Sequence, residues 1–163
     1  MQWGHGSVCW SKPPTGWLKC NVDAGVFRSH DNFSFGGVIR DAGGTFVVAK
    51  CQCFPGSFHL HEAEALAVRE ALSWIKNLQI SKIIFEIDCL TVYSALINQT
   101  PSPNGFGLII EDCQALAKLV GEVRFSFVRR SANVAAHTVA RVGVSMSGPE
   151  EWRFVSPRDY VRC

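Results

Sequence analysis

Hydrophobic and polar residues alternate in three successive stretches near the start of the chain. The stretches cover residues 17–23, 33–40 and 45–51, and their alternation predicts three β-strands. A polar turn at residues 28–32 separates the first two strands, and the sequence DAGG at 41–44 predicts a hairpin between the second and third. Three strands joined by tight turns form an antiparallel meander.

The spacing of the apolar residues changes after the third strand. Between Glu62 and Asn77 they recur every three or four residues, which predicts a helix. The pattern then predicts strands at 82–87 and 122–128 and helices at 90–98, 108–120 and 131–141. Strands that follow helices can run parallel. The sequence therefore predicts an α/β fold with a five-stranded mixed sheet, three antiparallel strands followed by parallel ones, flanked by helices.

The two ends of the chain show no clear period. Residues 1–15 contain Trp, Gly and Pro and are interpreted as an N-terminal segment or linker. Residues 16–145 are interpreted as one domain, and residues 146–163 as a tail that packs on the domain or trails it.

Composition narrows the class of protein. The chain has 163 residues, of which 47% are hydrophobic and 18% charged, and this excludes disorder, collagen and coiled coil as descriptions of the whole chain. A net charge of +2 neither indicates nor excludes a nucleic-acid partner. Seven cysteines without a CxxC pair indicate reduced thiols rather than a zinc site. The absence of a signal peptide and of a long apolar run predicts an intracellular protein, nuclear or cytoplasmic, with no membrane partner.

Several acidic residues lie where a metal site would need them. Asp23 lies within the first strand, Asp88 follows the fourth strand, and Glu62 and Glu64 begin the first long helix. Carboxylates that meet at one end of a sheet form a hard-oxygen site suited to Mg²⁺ or Mn²⁺. Taken singly, the glutamates would also suit the helix dipole and Asp88 would suit a helix N-cap. Asp23 has the weakest alternative, because aspartate is depleted within strands.

Five stretches in this order resemble a known family. They are 17–25 (WLKCNVDAG), 36–41 (GGVIRD), 63–72 (AEALAVREAL), 85–90 (FEIDCL) and 128–137 (VRRSANVAAH). Trp10 to Pro14 and the late Trp152 and Pro157 add to the likeness. Over roughly residues 10–160, the chain resembles a ribonuclease H domain of the retroelement-derived, reverse-transcriptase-like type common in plants.

The resemblance implies an activity and a set of metal ligands. The family cuts the RNA strand of an RNA–DNA hybrid with two divalent ions, Mg²⁺ or Mn²⁺. Asp23 resembles the aspartate that bridges both ions, and Asp88 resembles the aspartate after the fourth strand. Glu64 fits the Ala-Glu-x-x-Ala frame of the helix ligand, and Glu62 is the second choice.

The fourth ligand position departs from the family. Where the family has aspartate, the frame that starts at Asn133 ends in His137. Imidazole suits transition metals better than Mg²⁺, so one interpretation is a weakened second metal site, or one that prefers Mn²⁺. The other interpretation is a histidine that caps or packs near the last helix, in a domain that binds nucleic acid without cutting it.

The resemblance also suggests how the substrate is held. The basic, Trp-containing protrusion of well-studied members looks absent, because residues 105–120 contain only one lysine, so binding should be weak and sensitive to salt. The substrate-binding residues expected from the remaining matches are Lys12, Lys19, Arg129, Arg130 and Asn133. Trp17 and Phe27 are either stacking platforms for bases or core residues.

Three functions remain open on this basis. The first is the nuclease, with Asp23, Glu64, Asp88 and His137 as its catalytic residues, acting as a monomer on RNA–DNA hybrids. The second is a catalytically weak or inactive module of retroelement origin that binds nucleic acid. The third is an interaction domain that self-associates through the apolar tail around Trp152, Phe154 and Val155. The N-terminal segment would also suit the C-terminal piece of a longer polyprotein.

Overall fold

A six-stranded mixed sheet forms the centre of the protein, in the order β5-β4-β1-β2-β3-β6. The computed structural model describes residues 6–98 and 102–153. The strands are β1 (Leu18–Phe27), β2 (Asn32–Arg40), β3 (Phe46–Pro55), β4 (Lys82–Ile87), β5 (Glu122–Phe127) and β6 (Glu150–Trp152). The helices are α1 (Leu60–Asn77), α2 (Leu90–Asn98), α3 (Gly105–Val120) and α4 (Val134–Val142). Phe154, Val155 and Pro157 lie outside the described residues.

The predicted α/β architecture is confirmed, with one additional strand. β1, β2 and β3 form the antiparallel meander, and β4 and β5 join it in parallel through helices. The additional strand, β6, pairs antiparallel with β3, placing Trp152 opposite Ala49. β6 was not predicted because three residues are too few to show an alternating period.

The predicted last helix starts later than expected. Residues Arg130–Ala132 form a 3-10 turn, and α4 begins only at Val134. Between them Asn133 has φ −113° and ψ 16°, outside the helical region. Its buried side chain accepts a hydrogen bond from Asn21 and donates one to the carbonyl of Val22. Because asparagine competes for hydrogen bonds in this way, it interrupts the helix that the apolar spacing predicted.

β1 is buried along most of its length because both faces of the sheet are covered there. Cys20, Val22 and Ala24 belong to the main hydrophobic core with α1. The alternate residues carry polar side chains: Asn21 contacts Asn133, and Asp23 contacts His137 of α4. The period of two in β1 therefore separates a hydrophobic face from a buried polar face.

α4 lies directly on the backbone of β2, where a glycine leaves room for it. Gly36 is opposite Asp23 in the β1–β2 register. A Cβ at Gly36 would overlap the backbone nitrogen of Ala140 and would lie 2.7 Å from the carbonyl oxygen of Ala136. The absence of a side chain at Gly36 is therefore what allows α4 to carry His137 up to Asp23.

We expect Gly36→Ala to destabilise the protein by about 1–3 kcal/mol, the usual cost of overpacking a core. The overlap is with backbone atoms, which no side-chain rotation can relieve. Gly105→Ala is the matched control, because nothing lies within 4 Å of a Cβ there. Urea unfolding measures both variants, and equal midpoints would show that α4 does not need this close approach.

The N-terminal segment packs on the sheet from Gly6 onward. Ser7 forms a parallel bridge with Val128, and its carbonyl accepts a 2.9 Å hydrogen bond from the backbone nitrogen of Arg129. The Ser131 hydroxyl donates to the carbonyl of Val8 at 2.6 Å. Trp10 donates to Asn21 at 2.9 Å. These contacts fasten the segment both to the sheet and to the loop before α4.

No helix within residues 6–98 or 102–153 has the length and apolar character needed to cross a bilayer.

Candidate active site

Three carboxylates from three different elements converge beside the sheet. Asp23 comes from β1, Glu64 from α1, and Asp88 from the residues that follow β4. Each offers an oxygen atom, and these atoms lie within 4.8 Å of one another. Asp23 is fully buried and Glu64 is 3% exposed. Oxygen atoms at this separation are suitable ligands for a hard divalent cation.

The sheet register explains why the two aspartates meet. β1 and β4 are neighbouring parallel strands in which Asn21 is opposite Glu86. Asp23 and Asp88 each follow two residues later, so they leave adjacent strands at the same level. This is the carboxyl end of the parallel pair, where open α/β sheets place ligands.

The structure distinguishes the two candidate glutamates. α1 packs against β1 and β2 and buries Glu64 beside the aspartates. Glu62 is half-buried in the first turn of α1 and does not belong to the cluster. Of the two, the structure therefore brings Glu64 to the site.

The cluster carries more negative charge than its surroundings compensate. Oδ1 of Asp23 is buried and accepts no hydrogen bond, and Oδ2 of Asp88 is buried with only a long ion pair, 3.5 Å, to Nε of Arg130. Burial raises the pKa of Glu64 well above its ordinary value, and the charges of Asp23 and Asp88 raise it further. Burial and the charge of Asp23 also raise the pKa of Asp88, although Arg130 and Asn133 oppose this increase. Buried carboxylates with unpaired oxygen atoms fit a divalent cation, which would supply the missing positive charge.

His137 contacts the cluster directly. Its Nδ1 lies 2.8 Å from Oδ2 of Asp23, and its side chain is 33% exposed. It therefore holds one oxygen of the central aspartate, while Oδ1 of the same aspartate has no partner. The sequence placed a histidine at the fourth position, but it did not predict this contact.

The predicted substrate-binding residues fall into two groups. Lys12, Arg129 and Arg130 are exposed, and Nε of Arg130 lies 3.5 Å from Oδ2 of Asp88. Lys19 and Asn133 differ from the expectation, because both are buried. Lys19 forms a 3.2 Å ion pair with Glu86, so its charge is already compensated and is not available to a phosphate.

The structure also shows where the two candidate stacking residues, Trp17 and Phe27, lie. Trp17 is buried, and its ring lies beneath the Arg124 guanidinium at 4.1 Å and near the Lys82 ammonium at 5.0 Å. Phe27 is half-buried at the end of β1. Trp17 is therefore packed against cations of this chain rather than open to a base.

Sequence reasoning missed a buried polar network that supports the site. Asn21 donates to Oε1 of Glu86 and to Oδ1 of Asn133, both at 3.0 Å, and accepts a hydrogen bond from Trp10. Asn133 in turn donates to the carbonyl of Val22, next to Asp23. The sequence gives one sign of this network, because Lys19 and Asn21 lie on the same face of β1 as Asp23. The same pattern is equally typical of a strand whose polar face is open to solvent.

A groove of about 940 Å³ lies between the N-terminal segment, β4, β5 and α2. Its lining combines polar and aromatic side chains, and includes Ser11, Glu86, Tyr93, Ser126 and Arg129. Arg129 links the groove to the loop that carries Arg130.

We expect the metal-free protein to lose stability as the pH rises. The pKa of Glu64 is higher in the folded protein than in the unfolded chain, so protonation of Glu64 stabilises the fold. This stabilisation is fully present below about pH 4.3, the ordinary pKa of glutamate, and is lost as the pH rises through the folded-state pKa. Asp88 acts in the same direction. Glu64→Gln should flatten this decline and raise metal-free stability by about 0.5–2 kcal/mol, as when other charge conflicts are removed.

Thermal unfolding between pH 4 and pH 8 measures this effect, with and without Mn²⁺. The ion binds the ionised carboxylates, so its stabilisation of the unmodified protein should grow with pH and should be lost in Glu64→Gln. Glu111→Gln, an exposed change on α3, is the control. A lower melting temperature for metal-free Glu64→Gln than for the unmodified protein would contradict the assigned repulsion.

A family model described as reverse transcriptase-like matches residues 21–143 of this chain. A search of curated proteins finds no match. RNase H1 of the halophilic archaeon Halobacterium salinarum NRC-1 is a similar solved structure, with a TM-score of 0.72 and 17% identity over 80% of this chain and 98% of that one.

Two further solved structures have the same fold. One is the N-terminal RNase H domain of a Mycobacterium tuberculosis protein, solved as a fusion with maltose-binding protein, with a TM-score of 0.69 and 18% identity over 79% of this chain and 94% of that one. The other is LC11-RNase H1 in complex with an RNA/DNA hybrid, with a TM-score of 0.60 and 13% identity over 78% and 96% of the two chains. The match to the family model over most of the chain shows that the chain belongs to the reverse transcriptase-like family, and the similar structures show that it has the ribonuclease H fold.

Proposed function

We propose that this domain is a divalent-metal-dependent endonuclease that cleaves the RNA strand of RNA–DNA hybrids. The observation that carries the proposal is the convergence of Asp23, Glu64 and Asp88 within 4.8 Å, with a buried oxygen of Asp23 that accepts no hydrogen bond. A cluster of this kind costs folding free energy unless a cation binds it. The hybrid present in the LC11-RNase H1 structure supports the substrate class.

The three carboxylates are the proposed ligands of Mg²⁺ or Mn²⁺. The bound metal would supply Lewis-acid stabilisation of the attacking and leaving oxygen atoms in phosphodiester hydrolysis. Asp23 contributes the unpaired Oδ1, while its Oδ2 is held by His137. Burial of Asp23 and Glu64 keeps water from competing for these oxygen atoms.

Three exposed cations are the proposed contacts to the nucleic-acid backbone, and one of them, Arg130, lies beside Asp88. Arg130 is 64% exposed, and its guanidinium can pair with a phosphate oxygen as well as with Asp88. Arg129 is exposed in the same loop, and Lys12 lies beside the β2–β3 turn near Gly44. Three such contacts predict weak binding that decreases steeply with salt.

A second candidate function is a nucleic-acid-binding module that does not cleave. The observation that favours it is His137, which stands where the family has a fourth carboxylate and holds one oxygen of Asp23. On this alternative, the exposed arginines bind a hybrid and no product forms.

A single-turnover assay distinguishes the two functions. Protein in excess over an end-labelled RNA–DNA hybrid is incubated with Mg²⁺, with Mn²⁺ or with EDTA, at a protein concentration that anisotropy shows to be saturating. We expect internal cleavage of the RNA strand with either metal, no cleavage with EDTA, and none of a DNA duplex. A saturated hybrid that stays intact in both metals would leave the binding module as the function.

A further inference from the structure

The central aspartate of the site uses its two oxygen atoms differently. Oδ2 of Asp23 lies 2.8 Å from Nδ1 of His137, whereas Oδ1 is buried without a partner. Asp23 itself is fully buried. A ring nitrogen that carries a proton donates to Oδ2, so Oδ1 is the oxygen of Asp23 that has no competing partner and is best placed to bind a metal.

Two divalent ions bound side by side would have to share the three carboxylates of this site and take their other ligands from water or from the substrate. In a two-metal site, both ions lie close together and both require oxygen ligands. Among the described residues, the cluster contains three carboxylates, and the fourth position offers an imidazole whose Nδ1 already contacts Asp23. The guanidinium of Arg130 also places one positive charge 3.5 Å from Asp88. The three carboxylates therefore suit one divalent ion, and the described residues provide no fourth carboxylate for a second.

The fold determines the position of His137, because this residue lies in a helix that packs on the sheet and not in an exposed loop. α4 carries the residue and lies directly on Gly36, which is opposite Asp23 in the sheet. The backbone nitrogen of His137 donates to the carbonyl of Asn133, whose own side chain is buried against β1. The contact between the imidazole and Asp23 is thus built into the packing of α4 on the sheet.

We propose that this site holds a single divalent ion, bound through Oδ1 of Asp23, Glu64 and Asp88. His137 is a positioning residue that orients Asp23, and it occupies the place where a second ion would need a ligand. The inference rests on the metal site of the proposed function, but it concerns how many ions bind and not whether cleavage follows.

The test counts Mn²⁺ ions bound to the full chain. Isothermal titration gives the number of sites, and electron paramagnetic resonance detects the spin coupling of two adjacent Mn²⁺ ions. Both are run on the free protein and with a hybrid whose RNA strand carries uncleavable 2′-O-methyl groups. We expect one uncoupled Mn²⁺ for the unmodified protein, and a second, coupled Mn²⁺ for His137→Asp with the hybrid bound. His30→Asp, in the exposed β1–β2 turn, is the matched control and should keep one ion.

Two more variants keep the test decisive if His137→Asp does not fold. His137→Ala should bind its single Mn²⁺ about 10–100-fold more weakly, as expected when a residue that orients a ligand is removed. His137→Asn, whose amide can donate to the same oxygen, should recover most of that affinity. Equal affinities of His137→Ala and the unmodified protein would overturn the positioning role.

The outcomes separate this inference from the proposed function. Two Mn²⁺ ions in the unmodified protein, or none, would overturn the inference whatever the cleavage assay shows. One Mn²⁺ in a protein that leaves hybrids intact would support the inference and refute the nuclease function.

Discussion

Asp23→Asn is expected to slow cleavage of an RNA–DNA hybrid by at least about 10³-fold, which corresponds to about 4 kcal/mol of lost transition-state stabilisation. Asp23 is fully buried at the centre of the cluster, and its Oδ1 is the unpaired atom available to a metal. An asparagine in the same volume removes the negative charge, so the affinity for a hard cation decreases sharply. The single-turnover assay measures the rate directly.

Asp31→Asn provides the matched control for this variant. Asp31 is exposed in the β1–β2 turn with φ 47°, a left-handed conformation that asparagine tolerates well. Its cleavage rate should equal that of the unmodified protein. If Asp23→Asn cleaved within about threefold of that rate, the proposed metal site would be wrong.

Lys19→Met is expected to lower the stability of the domain by about 3–5 kcal/mol, the usual cost of leaving one partner of a buried ion pair alone. Lys19 and Glu86 are paired at 3.2 Å, and their side chains are only 7% and 5% exposed. Methionine has a similar shape but leaves the Glu86 carboxylate without a counter-charge. It also leaves the carbonyl of Ser11 without its 2.7 Å hydrogen bond. Urea unfolding at pH 7 gives the change in the free energy of unfolding.

The double variant Lys19→Met/Glu86→Gln separates charge from packing. The amide oxygen that replaces the carboxylate in this variant would still accept a hydrogen bond from Asn21, so most of the lost stability should return. Lys118→Met, at an exposed position of α3, should change the stability by less than about 0.5 kcal/mol. A Lys19→Met protein as stable as the Lys118→Met control would show that this pair is not buried in solution.

The aspartates of the site could be placed from the sequence because strand period and strand ends are local signals. Asp23 interrupts an apolar strand, and Asp88 ends another, so the sequence alone makes both of them candidates. The choice between Glu62 and Glu64 depends on which side of α1 faces the sheet, which a first helical turn with two acidic residues does not determine. The resemblance to the family favoured Glu64, and the packing of α1 agrees with it.

The contacts of Lys19 and Asn133 lay beyond local reasoning. Whether a lysine in a strand faces solvent depends on what covers the strand, and here a glutamate from β4 and the backbone of Ser11 lie over it. Asn133 is buried for a similar reason, because its partners come from β1. Polar residues on a covered face look the same in sequence as polar residues on an open one. The contact of His137 with Asp23 likewise depends on α4 lying on Gly36, across more than 100 positions of chain.

The fastening of the N-terminal segment has a mechanical consequence. The carbonyls of Ser7 and Val8 accept hydrogen bonds from the backbone of Arg129 and the hydroxyl of Ser131, so the segment and the loop before α4 are joined at two points. Arg130, which pairs with Asp88, lies between these two attachment points. We expect a force that displaces the N-terminal segment to disturb this loop, and with it the contact that Arg130 makes to a substrate phosphate.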